Sequence, residues 1–242
     1  MEKELINKSG YPLEPGYTFL QELRQNWSAA IQGKVFAKHV FITFLFFIPI
    51  YFFLVPFLQF IEHREGVVLS DFILNQIAPR DVSGVIFKVV YSSAFFIFLY
   101  DLKSPWLLLR DVQILLLLQY IRNVCLYLVP LAAPQGIVPL HDPILEFVAY
   151  DQKPMLQDLF FSGHTAAVVI FALLTRKKNY LFVGFLMISF LMAGLLSIQH
   201  CHYSIDILGG AFFGVLSYYL VKILWLRLRL PFERNSSALN LN

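Results

Sequence analysis

Charged residues are scarce in this chain. Asp, Glu, Lys and Arg make up 14% of the 242 residues, whereas hydrophobic residues make up 58% and aromatic residues 17%. This balance excludes a disordered or ordinary water-soluble chain and is typical of a protein that crosses a membrane several times. The net charge is only +3 and is spread over polar connectors, so nothing indicates nucleic-acid binding.

Cysteine and histidine are scarce too. The two cysteines, Cys125 and Cys201, cannot build a disulfide framework and lack the spacing of a zinc site. Six histidines are too few for the multi-histidine boxes of membrane di-iron enzymes. A metal or haem site made of His164, His200, His202 and Asp206 stays open as an alternative. We expect no metal ion and no other cofactor.

The long apolar runs predict an all-α fold, a polytopic membrane bundle of six transmembrane helices. A span needs about 20 apolar residues. The predicted spans are residues 39–61, 84–101, 111–131, 159–175, 180–198 and 204–226. Pro49 and Pro56 should kink the first span. The fourth is short, so we expect surrounding protein to shelter its polar start.

The sequence divides into a membrane catalytic domain, residues 39–226, and two polar tails, residues 1–38 and 227–242. In the first tail, apolar residues recur at helical spacing; they are Leu20, Leu23, Trp27 and Ile31. This pattern indicates a short amphipathic helix on the membrane surface, although a disordered tail is an equally good interpretation.

Basic residues concentrate on one side of the predicted topology. That side holds Lys3, Lys8, Arg24, Lys34, Lys38, Lys103, Arg110, Arg176, Lys177, Lys178, Lys222, Arg227, Arg229 and Arg234. The opposite connectors supply only Arg64, Arg80 and Lys153. Because cytoplasmic loops carry the excess of Lys and Arg, we predict that both termini are cytoplasmic.

The stretch HYSID, residues 202–206, places a histidine and a carboxylate at the mouth of the last span. If the helix includes His202, Asp206 lies one turn below it on the same face. The carboxylate can then orient the imidazole and leave its other nitrogen free to act as a nucleophile or base. A plain ion pair that caps a membrane helix explains the two residues about equally well.

A second polar segment, SGHT at residues 162–165, opens the fourth span on the same predicted outer side as His202. The start of a helix offers unpaired amides and a positive dipole end, which suit a phosphate. Taken alone, the segment fits a Ser162 N-cap with a buried His164 better. Arg122 lies deep in the third span, where a charged side chain costs free energy unless it faces a polar cavity. If its role is only structural, it should form an ion pair with Asp111 or Glu146.

At these residues the chain resembles the lipid phosphatase and phosphotransferase superfamily, and within it the sphingomyelin synthase-like branch. The similarity lies in DLFFSGHT (158–165) and HYSID (202–206), and more weakly in YIRNVCLYLVPLAAP (120–134). The resemblance implies six spans, an outward-facing site, His202 as nucleophile, Asp206 as its orienting partner and His164 as general acid and then base. We expect a substrate-binding set beside this triad, made of Arg122, Asp158, Ser162, Gly163, Thr165 and Tyr203.

One departure from the broader phosphatase pattern concerns charge. That pattern has an arginine several residues before the nucleophilic histidine, and residues 189–199 contain no cation. A phosphate monoester carries nearly two charges at neutral pH and a diester carries one, so a cation-poor site favours a diester. The synthase-like branch lacks that arginine as well.

We therefore expect headgroup transfer from a phospholipid donor to a ceramide or diacylglycerol-type acceptor, in the plasma or inner membrane or the Golgi. Hydrolysis of a lipid phosphate or pyrophosphate by the same triad is the main alternative. A transporter with Arg122 and the His/Asp pair along its path is another, but no internal repeat supports it.

Overall fold

The fold is given by a computed structural model that describes residues 19–141 and 155–230. This part of the chain contains seven α-helices and no strand, which confirms the all-helical class. The helices are α1 (Phe19–Gln32), α2 (Lys34–His63), α3 (Ser83–Asp101), α4 (Pro105–Leu128), α5 (Gly163–Thr175), α6 (Asn179–Gln199) and α7 (Ser204–Arg227). Pro49 and Pro56 both lie inside α2, which is continuous.

Five of these helices, α2, α3, α4, α6 and α7, are long and apolar enough to cross a bilayer. The protein is accordingly a multi-pass membrane protein. Helix α5 has 13 residues and is about 20 Å long, shorter than the roughly 30 Å hydrocarbon core. The predicted fourth span starts at residue 159, but helical backbone starts only at Gly163. Six spans and cytoplasmic termini stay predictions.

Short helix α5 lies in the centre of the bundle and packs against α3, α4, α6 and α7. Ala166, Val168 and Ile170 are completely buried. A helix that is apolar all round needs such an environment. By contrast, α2 exposes a row of large aromatic side chains, among them Phe41, Phe52 and Phe53. Exposed aromatic rings on a spanning helix face the lipid.

The ends of the helices define two faces of the bundle. The site face carries the end of α2, the start of α3, the end of α4, the start of α5, the end of α6 and the start of α7. The opposite face carries the other end of each helix and most of the basic residues. Residues 1–18, 142–154 and 231–242, which include Lys3, Lys8, Glu146, Lys153 and Arg234, lie outside the described residues.

Helix α1 docks on the opposite face. The Trp27 indole N–H donates to the Leu102 carbonyl at 2.9 Å, and the Asn26 amide donates to the Lys103 carbonyl at 2.8 Å. Leu20 and Ile31 are exposed. The predicted helix in this tail is therefore present, and its place on the membrane surface stays a prediction.

A buried charge cluster ties α3 to α4 near the opposite face. Arg110 contacts Asp101 at 2.9 Å and Asp111 at 2.7 Å, and all three side chains are almost inaccessible. The expectation that Asp111 could pair with Arg122 is thus wrong: Asp111 is bonded to Arg110, its neighbour in the chain.

Candidate functional site

The first turn of α7 holds a histidine and a carboxylate together. Helix α7 begins at Ser204, so His202 lies just before it and not inside it, as the i, i+4 argument assumed. The pair still forms: His202 Nδ1 and Asp206 Oδ2 are 3.6 Å apart, and both side chains are buried. This is an ion-pair distance, slightly longer than a hydrogen bond. Asp206 Oδ2 also accepts the Tyr203 N–H at 2.9 Å, which closes the turn.

Two polar atoms of this pair have no hydrogen-bond partner among the described residues. They are His202 Nδ1 and Asp206 Oδ1, and both are buried. A buried polar atom left unpaired costs roughly 1 to 3 kcal/mol, so most proteins avoid it. Retaining two such atoms in one turn is typical of a site where a ligand or a transferred proton completes the bonding.

The start of α5 supplies the second group of polar residues in the site. The Ser162 hydroxyl accepts the Thr165 N–H at 3.4 Å, so Ser162 is the N-cap. Its side chain is completely buried, and the Thr165 hydroxyl lies 3.3 Å away. His164 is half-buried and meets the Phe87 ring edge-on, with ring centroids 5.6 Å apart. The cap interpretation therefore holds, and Ser162 lies beside the first turn of α7.

Backbone contacts bring the two segments together. The Ser162 N–H donates to the Asp206 carbonyl at 3.0 Å. On α7, a Cβ placed on Gly210 would lie 2.4 Å from the Ser162 carbonyl oxygen, and one on Gly214 would lie 2.8 Å from that of Ala166. Small residues spaced four apart allow helix backbones this close. Only glycine at these positions lets α5 approach α7.

Helix α4 delivers a cation to the same place. Arg122 Nε donates to the Phe161 carbonyl at 3.0 Å, and Arg122 Nη2 lies 2.8 Å from Asp158 Oδ1, an ion pair without hydrogen-bond geometry. A Cβ on Gly163 would lie 3.3 Å from Arg122 Nε, so the guanidinium covers the start of α5. Asp158 neutralises the arginine, which leaves the site with little net positive charge.

Tyr203, expected to bind substrate, is buried. Its hydroxyl donates to the Ala132 carbonyl at 2.9 Å and accepts the Leu69 N–H at 3.2 Å. Burial raises the pKa of this hydroxyl, which is therefore neutral at physiological pH. These two bonds connect Tyr203, the neighbour of His202, to the loops that contain Leu69 and Ala132.

Cys201 and His200, the other reactive side chains of this turn, are held in place. Burial raises the pKa of the Cys201 thiol to about 12. A thiol with that pKa is almost entirely protonated at neutral pH and is a poor nucleophile. His200 adopts a left-handed backbone, with φ of 54°, and its Nε2 contacts the Ile77 carbonyl at 2.9 Å. That contact requires the proton on Nε2, so this nitrogen donates and is no free nucleophile.

Sequence reasoning missed the residues that hold the site through contacts between distant parts of the chain. Asp71 binds the start of α7, Glu62 accepts the Leu156 and Gln157 N–H groups ahead of α5, and the Gln199 amide joins Ser83 to Pro139. Their partners are dozens of residues away, and no local pattern predicts such contacts. The four-residue spacing of Gly210 and Gly214 is a local signal, but it indicates the close packing of α5 on α7 and not these contacts.

The described residues contain no group of three or more His, Cys, Asp or Glu side chains arranged to hold a metal ion. His164, His200, His202 and Asp206 therefore do not form one ligand set.

Comparison with known proteins gave one match. Residues 157–223 match the family model described as PAP2 superfamily C-terminal. That segment contains both polar segments of the site and excludes Arg122 and Asp71. No curated protein and no solved structure matches the chain. Over this segment the chain is similar to the type-2 phosphatidate phosphatase superfamily, whose members act on lipids as phosphatases or phosphotransferases.

Proposed function

We propose that this protein is a lipid phosphotransferase that moves a phospho-headgroup, of the phosphocholine or phosphoethanolamine type, from a glycerophospholipid to a ceramide-like acceptor. The observation that carries the proposal is the His202–Asp206 pair, packed against the capped start of α5 beside Arg122. A nucleophile, an orienting carboxylate and phosphate-binding groups are what acyl- and phosphoryl-transfer sites combine.

In the first half-reaction, His202 Nε2 attacks the phosphorus of the donor headgroup. A P–N bond forms, and the P–O bond to diacylglycerol breaks. His164 gives its proton to the departing oxygen, which avoids release of an alkoxide. Asp206, facing His202 Nδ1, orients the ring and stabilises the positive charge that develops on it.

In the second half-reaction, His164 acts as a base. It removes the proton from the primary hydroxyl of the acceptor, whose oxygen attacks the phosphorus. The P–N bond breaks, and His202 recovers its lone pair. The headgroup now sits on the acceptor, and both histidines return to their starting protonation states.

Two features support binding of the phosphoryl oxygens at the start of α5. The Gly163 N–H has no partner among the described residues, as expected for the first amide of a helix. Arg122 lies directly against Gly163. Together they offer a donor and a cation to an oxygen that gains charge in the transition state.

The charge balance supports a diester substrate. Asp158 neutralises Arg122, and residues 189–199 contain no cation before His202. A doubly charged monoester would need more positive charge than this site holds. Hydrolysis of a lipid phosphate, with water as acceptor, is the second candidate, because the family match fits phosphatases equally well.

The site face is proposed to be the non-cytoplasmic one. The opposite face carries Lys103, Arg176, Lys177, Lys178 and Arg227 at its helix ends. Short loops rich in Lys and Arg stay in the cytoplasm. The donor and acceptor would then enter the site from the outer leaflet.

Product analysis tests the proposal. The purified protein in vesicles is given labelled ceramide with phosphatidylcholine and phosphatidylethanolamine, and separately phosphatidate alone. A new ceramide-linked headgroup identified by mass is the expected result. Ready release of phosphate from phosphatidate, with no ceramide product, would instead establish the phosphatase.

A further inference from the structure

Asp71 lies in the connection between α2 and α3 and contacts the start of α7, 133 residues away. Its Oδ2 accepts the Ser204 N–H at 2.6 Å, and its Oδ1 accepts the Ser204 hydroxyl at 3.0 Å. Ser204 is the first residue of α7 and lies two positions after His202. One carboxylate thus accepts both the N–H and the hydroxyl of Ser204, the residue that ends the turn formed by residues 202–204 (the His202 turn).

The carboxylate is itself fixed by its own loop. Asp71 Oδ1 also accepts the Ile73 N–H at 3.0 Å and the Leu74 N–H at 3.2 Å, at the start of a short 3₁₀ turn. Burial raises the pKa of Asp71, but the hydrogen bonds from Ser204, Leu74 and Ile73 together outweigh burial and hold it below its usual value. Asp71 is therefore ionised at neutral pH, and a negative charge at a helix N-terminus is favourable.

The other restraints on this turn do not act on Ser204. Tyr203 anchors the turn through its side-chain hydroxyl, and Asp206 holds the Tyr203 N–H from within the helix. Without Asp71, the Ser204 N–H would be an unpaired donor at the start of a helix, and the turn would lose its bond to the first half of the chain.

We propose that Asp71 is a positioning residue for the transfer reaction: by binding the first residue of α7, it fixes the turn that presents His202 to the phosphorus. This inference rests on the proposed function. Asp71 lies outside the segment that matches the family model, in the connection between α2 and α3. This connection would therefore help to position the nucleophile His202. A displacement of a reacting group by about 1 Å can slow a reaction by about 100-fold.

Three variants separate the contacts. Asp71→Ala removes all four hydrogen bonds, Asp71→Asn keeps the shape and loses the charge, and Ser204→Ala loses only the hydroxyl bond. The matched control is Glu22→Ala. The Glu22 carboxylate pairs with Lys103, 81 residues away, on the opposite face of the bundle, so this variant also removes a long-range contact of an acidic side chain and leaves the turn at His202 untouched.

Two measurements do not require lipid turnover. Hydrogen exchange of the amides at residues 204–207 and the rate of carbethoxylation of His202 by diethylpyrocarbonate should both rise in Asp71→Ala. Asp71→Asn should give an intermediate rise, and Glu22→Ala should leave both at the wild-type value. Unchanged exchange and modification in Asp71→Ala and Asp71→Asn would overturn the inference, whether or not the wild type transfers headgroups.

Kinetics on the active enzyme test the catalytic consequence. With phosphatidylcholine and ceramide, kcat of Asp71→Ala should fall by about 10- to 100-fold while KM changes little, because placement and not lipid binding is lost. An unchanged kcat, or a loss confined to KM, would contradict the inference. If the wild-type protein transfers a headgroup from neither phosphatidylcholine nor phosphatidylethanolamine, the proposed function is wrong. Hydrogen exchange and carbethoxylation would still decide whether Asp71 holds the turn.

Discussion

Arg122 and Asp158 form an ion pair, 2.8 Å apart, at the start of the helix that carries His164. The pair lies between α4 and the segment that precedes α5, and Arg122 also holds the Phe161 carbonyl. The intramembrane arginine beside the candidate site is thus already partnered by a carboxylate. Substrate preference should depend on this balance.

Removing the Asp158 charge should shift the preference toward monoesters. Asp158→Asn frees Arg122 and adds one net positive charge to the site, so phosphatidate hydrolysis should rise relative to headgroup transfer from phosphatidylcholine. The ratio of the two kcat/KM values measures this change. Glu65→Gln, an exposed carboxyl on the same face of the bundle, is the control and should not alter the ratio. A ratio that stays constant in Asp158→Asn would show that Asp158 does not set the charge of the site.

Losing the carboxylate of the His202–Asp206 pair should slow the reaction without unfolding the protein. Asp206→Asn keeps a side-chain oxygen for the Tyr203 N–H but no longer stabilises a charged imidazole, and comparable His–Asp pairs lose up to about 10⁴-fold in kcat. Steady-state kinetics and thermal unfolding measured together separate the two effects. An Asp206→Asn enzyme with full activity would exclude the orienting role.

His164→Ala should show a different defect. It should lose turnover of natural phospholipids, because no acid protonates diacylglycerol, while a donor with a good leaving group such as p-nitrophenol should still load His202 in a single turnover. The p-nitrophenol burst measures this step. Equal losses with both donors would rule out a general-acid role for His164.

The close packing of α5 on α7 can be tested by replacing glycines with alanine. A Cβ on Gly210 would lie 2.4 Å from the Ser162 carbonyl, whereas a Cβ on Gly194, in α6, meets nothing within 4 Å. Gly210→Ala should therefore destabilise the protein by about 1 to 3 kcal/mol and displace the Ser162 cap. Gly194→Ala should be nearly neutral. Thermal unfolding in detergent compares them, and equal stabilities would contradict the close approach.

Much of the fold is predictable from the sequence, because apolar runs of the right length report on the membrane directly. The limits of α3, α6 and α7 lie within one residue of the predicted spans, whereas α2 and α4 begin five and six residues before theirs. Helix α5 begins four residues later than the apolar run predicts, because Leu159, Phe160 and Phe161 are apolar but precede the buried cap at Ser162. His202 falls outside α7 because Tyr203 and Asp206 close the turn before the helix begins.

The polar residues of the site were visible as rare charges in an apolar chain, but their partners were not. Arg122 could have paired with Asp111, and only the fold shows that Asp111 belongs to Arg110 and Arg122 to Asp158. Asp71 is one of 16 acidic residues, and nothing near it in the sequence indicates a bond to Ser204. Long-range contacts of this kind depend on topology, which local patterns do not encode.

In the proposed mechanism, the phosphorus of the donor headgroup becomes covalently bonded to His202. The most direct measurement is a brief incubation with phosphatidylcholine in the absence of acceptor, followed by peptide mapping by mass spectrometry under alkaline conditions, where phosphohistidine survives. We expect a phosphocholine adduct on His202 that disappears when ceramide is added and is absent from His202→Ala. An adduct on another residue, or transfer activity that persists in His202→Ala, would contradict the role of His202 as nucleophile.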